Sequence, residues 1–338
     1  LMIKNKKNIK LLSILLAFGI IQVLFQKLYL DFSLTQTVSN VFKFLYLPIS
    51  ILYFKDYSFK KYNKEKILCI IVFTYIGIYL FSYITKIGGN AYLETDGKSG
   101  FKGLFSSINE FSAIIVGLLP IAITYLKNKK KYLLGLLLIM LSFICSLLIG
   151  TKVLLAGIII TIIYILYQEK DILYNNRKPF EKVMIVISLI IIFIVSIFLF
   201  TKTRTYQNMV VQQEFFKADN FYDYLNHVIF NDRLSFISTN FNYFKSANII
   251  NYLLGIGMDN YSVKMVEIDA FDILFRYGII GICLFILMLN KISIKKLNRE
   301  EKLTLILFIF ISLTSGHVLI YPNVCIFIGL LTSKNVLE

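Results

Sequence analysis

Tryptophan is absent from this chain, proline and cysteine occur four times each, histidine twice, and charged residues make up only 17% of its 338 positions. The shortage of charge excludes a soluble globular domain, where roughly a quarter of residues are charged and about 45–50% apolar; here 57% are hydrophobic. The four cysteines, Cys69, Cys145, Cys283 and Cys325, each sit inside an apolar stretch, with no CxxC spacing and no neighbouring histidine. They read as small membrane-buried side chains, neither a disulfide framework nor a metal-ligand set. His227 and His317 stand 90 positions apart, so no zinc-type cluster is visible and neither metal nor cofactor is expected. Scarce proline and missing tryptophan, beside abundant Lys, Ile, Asn, Phe and Tyr, suit an AT-rich coding sequence, which lowers the weight of any single lysine.

What the chain has is long apolar runs. Near-continuous ones over 11–29, 38–54, 67–85, 108–126, 132–150, 153–168, 183–201 and 271–290 are long enough to cross about 30 Å of hydrocarbon as helices. A last stretch, Leu303 to Leu331, is broken at Ser315-Gly316 and at Pro322 and divides into spans over 303–316 and 318–331. The expected fold is therefore all-α, a polytopic transmembrane helical bundle of about ten spans in a single membrane domain. Lys4, Lys6, Lys7 and Lys10 before the first run resemble a signal peptide, but the run is long and has no small-x-small cleavage site, so a retained first helix is expected.

The formal charge of +16 would raise nucleic acid as a partner if the cations shared one solvated face. They do not. With a cytoplasmic N-terminus, the inner segments hold Lys4 to Lys10, Lys55 to Lys66, Lys127 to Lys131, Lys170 to Lys182 and Lys291 to Lys302, while Leu30 to Ser39 on the other side has no Lys or Arg. This asymmetry orients the chain with both termini on the cytoplasmic side, excludes nucleic acid, and makes the basic clusters a solvated rim facing anionic lipid. The one long segment outside the bilayer, 201–270, then falls on the extracytoplasmic side. It is aromatic-rich and not of low complexity, and Leu234, Ile237, Phe241 and Phe244 recur there at helical spacing.

Several polar residues at the mouths of the spans stand out. In EIDAFDILFRYGIIG, Glu267 to Gly281, the charges of Glu267, Asp269, Asp272 and Arg276 would each cost roughly 2.5–3.5 kcal/mol at a helix centre, so they should face a polar cavity. Glu267 and Asp269 read equally as interfacial charges, and Arg276 as the ion-pair partner of Asp272 four residues earlier. Arg233 opens the amphipathic helix of the outer segment, and Gly255 and Gly257 end it in a flexible turn that a ligand could approach. Thr151-Lys152 interrupts an otherwise continuous apolar run, leaving Lys152 to snorkel or to grip a phosphate. Asn109, in GLFSSINEF, marks a helix entrance where free N–H groups would meet an anion, unless Asn109 simply caps the helix. His317, in SGHVLIYP, could shuttle a proton or serve packing, and nothing singles out His227.

These pieces, in this order, resemble the O-antigen ligase and polysaccharide polymerase superfamily: a helix entrance with Asn109, a short T-K turn at Lys152, an outer loop with Arg233 and then G-x-G, and Glu267 eleven positions before the Gly278 of YGIIG. The resemblance runs from about Gly103 to the C-terminus. It implies a GT-C-like helical bundle with its site under the large extracytoplasmic loop. It also implies metal-independent transfer of a glycan from an undecaprenyl-pyrophosphate-linked donor to a glycan or lipid-linked acceptor, among membrane lipids, with a flippase and a chain-length regulator in the same pathway. Cations are needed for the pyrophosphate and a base for the attacking hydroxyl. By resemblance, Lys152 and Arg233 hold the diphosphate, with Arg276 and Asn109 as further substrate contacts. Glu267 is the base, with Asp269 and His317 beside it. Glu267 stands where ligases of the family have His, and the acidic E-x-D form favours polymerases of low-GC bacteria. Lys152 replaces an Arg and lacks its bidentate fork. The competing classes are ligation to another acceptor, a flippase or transporter, which should show internal repeats that are not found, and a structural or sensory membrane protein that would tolerate loss of Glu267, Arg233 and Lys152.

Overall fold

A segment that crosses hydrocarbon must satisfy each backbone N–H and C=O internally, which an α-helix does within itself. The computed structural model describes residues 5–55, 58–59, 63–90, 100–168, 201–202, 204–216, 220–257 and 265–335. Its main elements are α1 (Lys6–Leu28), α2 (Leu34–Lys55), α3 (Lys64–Thr85), α4 (Ile108–Asn128), α5 (Tyr132–Ile149), α6 (Lys152–Gln168), α7 (Arg204–Phe216), α8 (Arg233–Lys245), α9 (Ile249–Leu254), α10 (Asp269–Leu289), α11 (Arg299–Thr314) and α12 (Pro322–Leu331). Among the described residues, α1 to α5 and α10 are long and apolar enough to cross a membrane, and α6 and α12 are shorter apolar helices. The protein is an all-α polytopic membrane protein. Strand pairing is confined, among the described residues, to Ser58–Phe59 with Lys334–Asn335 and Gly89–Asn90 with Phe101–Gly103. Nearly all of the expected span over 183–201 lies outside the described residues.

The chain divides into two compact units, Leu1–Ile67 with Leu225–Glu338, and Leu68–Tyr224. In the first, α2 packs against α1, α10 and α12, and α9 packs against α10. Small residues allow the close crossings: a Cβ at Gly19 would stand 3.0 Å from Val41, and one at Gly329 only 2.9 Å from the backbone of Ser50. In hydrocarbon, where apolar burial drives little association, such fits hold helices together. In the second unit, α4 is buried almost all round and packs on α5 and α6, with Gly157 making room for Val116.

Two local features of the first unit depart from the sequence expectation. Lys64, assigned to the solvated basic rim, is buried and pairs with Glu301 at 2.5 Å. Glu301 is the N3 residue of a capping box with Asn298, so the lysine is fixed by a helix start the sequence places far away. The helix opened by Arg233 does not run to Gly255: α8 ends at Lys245 and a separate α9 follows. Gly255, Ile256 and Gly257 are buried, and the turn is neither exposed nor open to a ligand. It fills a break in α10. There Gly278 takes φ 68° and ψ −169°, and the Ile256 N–H donates to the carbonyl of Phe275 at 2.8 Å. A Cβ on Gly255 would lie 2.2 Å from the Arg276 oxygen, and one on Gly278 2.3 Å from the Leu253 oxygen. The two glycines exist to let two backbones touch.

Candidate functional site

Arg233 is the first residue of α8, and the way that helix starts fixes it. The preceding Asp232 lies in the left-handed region and its side chain does not cap. The buried Asn226 caps from outside instead: its Oδ1 accepts from Leu234 N at 3.1 Å and Ser235 N at 3.3 Å, and its Nδ2 donates to Ser235 Oγ at 2.6 Å. The Asp232 carboxylate is turned to His227 Nδ1. From this anchored turn the Arg233 guanidinium, itself buried, donates through Nη2 to Glu267 Oε2 at 2.9 Å and to the Ser315 carbonyl at 3.5 Å, and through Nη1 to the Thr314 carbonyl. Arg233 thus closes the C-terminal end of α11, where free carbonyls and the helix dipole favour a cation.

Glu267 is held by backbone contact. Its φ is 60°, and Gly316, φ 65°, lies so close that a Cβ there would meet the Glu267 oxygen at 2.0 Å. Carboxylates at the start of α10 secure both turns: Asp269 Oδ2 accepts from Leu319 N at 2.8 Å, tying one turn to the other, and Asp272 Oδ1 accepts from Val266 N at 2.9 Å within the Glu267 turn. The remaining Asp272 oxygen, buried and without a hydrogen bond, faces His317 Nδ1 at 3.8 Å. Arg276, one turn further, points Nη2 at Met265 Sδ, 3.6 Å away. Arg233, Glu267, Asp269, Asp272 and His317 therefore form one polar cluster at the joined ends of α8, α10 and α11. A guanidinium that can hold an anion stands beside a partly exposed carboxylate that can accept a proton.

His317 is neutral here. Burial pushes its imidazole down to about 4, with Arg276, Arg233 and Lys43 adding to the effect and the Glu267 carboxylate opposing it. An unfolded chain takes up this proton near the ordinary value of about 6.5. Between those values the unfolded state binds more protons, so the contribution to stability is complete above about 6.5 and is lost as pH falls towards about 4. Thermal melting in detergent is expected to weaken across that window, and His317→Gln to flatten the dependence. An unchanged acid slope in the variant would reject the assignment.

Two of the sequence candidates belong to the second unit. Lys152 is the first residue of α6, half-buried, and follows the buried Thr151, whose hydroxyl lies 3.2 Å from that of Ser112 on α4. Asn109 is not the cap of α4. That role falls to Ser107, whose hydroxyl accepts from the Asn109 N–H at 3.1 Å, while the neighbouring Glu110 is buried and accepts from Ser106 at 2.6 Å.

Residues 201–338 match the family described as O-antigen ligase like membrane protein. Over that stretch the chain is similar to that family. No curated protein and no solved structure matches it. The ligase-like part contains every member of the Arg233 cluster, whereas Lys152 and Asn109 lie before it. Within it, sequence reasoning passed over Asp272 as a site residue, and Asn226 and Asp232 altogether. The spacing of Asp272 from Arg276 suggested only a local pair, and no sequence signal tied it to His317.

Proposed function

We propose that the chain polymerises lipid-linked oligosaccharide repeat units into a cell-surface polysaccharide, by glycosyl transfer at the extracytoplasmic face of the membrane. The observation that carries this reading is the buried Arg233 held 2.9 Å from Glu267 within the ligase-like residues. The acceptor hydroxyl oxygen forms a bond to the anomeric carbon as the bond from that carbon to the pyrophosphate oxygen breaks. Glu267 takes the hydroxyl proton, and the lipid pyrophosphate leaves with the bonding electrons. Arg233 stabilises the charge growing on that leaving group, where preorganised donors have their largest effect. Lys152, Arg276 and Asn109 are proposed further contacts of the donor, and Asp269 and His317 companions of the base. A carboxylate at 267 is the reason polymerisation is preferred to ligation, and the undecaprenyl carrier follows from the same resemblance.

Purified protein in vesicles, given synthetic undecaprenyl-pyrophosphate-linked repeat units, should extend them into longer chains. Transfer only to an added different acceptor would replace the polymerase reading by ligation, and no transfer at all would reject both. Glu267→Gln is expected to lower turnover by about 10²–10⁴-fold, the range for a general base, while donor binding is kept or tightened because the guanidinium loses its internal anion. Equal loss of donor binding and turnover would show that Glu267 is only a structural partner of Arg233.

A further inference from the structure

The segment 201–270 reads in sequence as a water-facing loop, yet part of it is tied to the interior of two spanning helices. The Asn248 side chain donates to the Tyr29 hydroxyl at 2.5 Å, just beyond the end of α1. Six residues later, the Leu254 carbonyl accepts from the Nε2 of Gln22, a buried side chain of α1, at 2.9 Å. Gln22 lies seven residues before Tyr29, or about 10 Å back along the helix axis. The second tie agrees. Leu253 and Gly255 meet α10 at Gly278, nine residues or about 13 Å from its start at Asp269. From Asn248 to Leu254 the chain therefore descends about 10 Å below the end of α1.

At that depth α9 has two unlike sides. Tyr252 turns inward, its ring 4.8 Å from that of Phe244 and its hydroxyl donating to the Lys245 carbonyl at 2.7 Å. Ile249, Ile250 and Leu253, by contrast, are 70%, 44% and 41% exposed. On α1, Ile21, Leu24 and Leu28 are exposed too, and in a spanning helix such residues are the lipid-facing band. The apolar side of α9, anchored to α1 at Tyr29 and Gln22, continues that band. Non-helical backbone at membrane depth is tolerated only where protein encloses it, and the Gly255-Ile256-Gly257 turn that follows is buried, with the Ile256 N–H bonded to α10.

We propose that Ile249–Leu254 is a re-entrant helix, with Ile249, Ile250 and Leu253 lying against the acyl chains of the leaflet that holds the C-terminal end of α1. The placement does not depend on the reaction and stands whatever the chain transfers. It changes the setting of the Arg233 cluster, because α9 leads into the break in α10 beside Arg276.

The absence of tryptophan makes a direct test available, since each single substitution gives a single emitter. Ile249→Trp and Leu253→Trp, in the full chain reconstituted into phosphatidylcholine–phosphatidylglycerol vesicles, should emit at short wavelength. They should lose intensity to lipids brominated on the acyl chain and resist aqueous iodide, as a Leu24→Trp reference on α1 does. Long-wavelength emission quenched by iodide and untouched by brominated lipid would overturn the proposal. The unaltered protein in the same vesicles gives a second reading that needs no variant: the amides of 249–254 should be protected from exchange. Exchange there as fast as at the exposed Asn220 would overturn it equally.

Discussion

Arg233→Ala is expected to cut glycan transfer by about 10²–10³-fold, the loss that follows removal of one preorganised donor aimed at developing negative charge. The same change leaves Glu267 without its ion-pair partner and the Thr314 and Ser315 carbonyls without the guanidinium. Each buried acceptor left unsatisfied costs about 1–3 kcal/mol, so a lower melting temperature should accompany the loss of transfer. Arg233→Lys separates the two roles. An ammonium restores a cation at the end of α11 but cannot bridge a carboxylate, two carbonyls and a diphosphate with one planar fork. Melting should recover part of the way while transfer stays low. A folded Arg233→Ala protein that transfers at the rate of the unaltered chain would end the case for this residue in the reaction.

Gly278→Ala is expected to be among the most damaging single methyls in the ligase-like part. At φ 68° and ψ −169° the residue occupies a region that only glycine enters readily, and holding alanine there costs about 1–3 kcal/mol in strain alone. The new Cβ would also sit 2.3 Å from the Leu253 oxygen and 2.6 Å from the Gly255 nitrogen, both backbone atoms that cannot rotate aside. The damage should appear as loss of folded protein in size-exclusion chromatography, before any question of activity. Gly255→Ala should do the same, because its Cβ would meet the Arg276 oxygen at 2.2 Å. Gly135→Ala, with nothing within 4 Å of the added carbon, serves as the neutral comparison. Normal yield and melting for Gly278→Ala would mean that α9 and α10 do not meet as described.

Much of this architecture was legible in the residues. The apolar runs announce helices because hydrocarbon leaves a helix as the economical way to satisfy backbone groups, and the helix opened by Arg233 follows from the spacing of Leu234, Ile237, Phe241 and Phe244. Arg233, Glu267 and His317 could each be named as polar residues in costly places. Their meeting could not, since 34 residues separate Arg233 from Glu267 and no local rule reports contact across that distance. The errors have different causes. Gly255 and Gly257 looked like a loose turn because a glycine needed for close backbone approach and one needed for freedom are the same letter. Asn109 looked like a cap because the true cap, Ser107, stands two positions earlier. Lys64 looked solvated because its carboxylate partner is 237 positions away.

The first unit is assembled from two segments far apart in the chain, Leu1–Ile67 and Leu225–Glu338, with α12 seated on α2. A ribosome adding about 5–20 residues per second therefore delivers α2 many seconds before its partner exists. Throughout that delay the Gln22 side chain, buried in the finished protein with its amide donating to the Leu254 carbonyl, lies in the bilayer without that partner. The first unit cannot close until α12 has been made, and a nascent chain arrested before Leu254 would present the Gln22 amide to insertion factors and membrane proteases as an open seam.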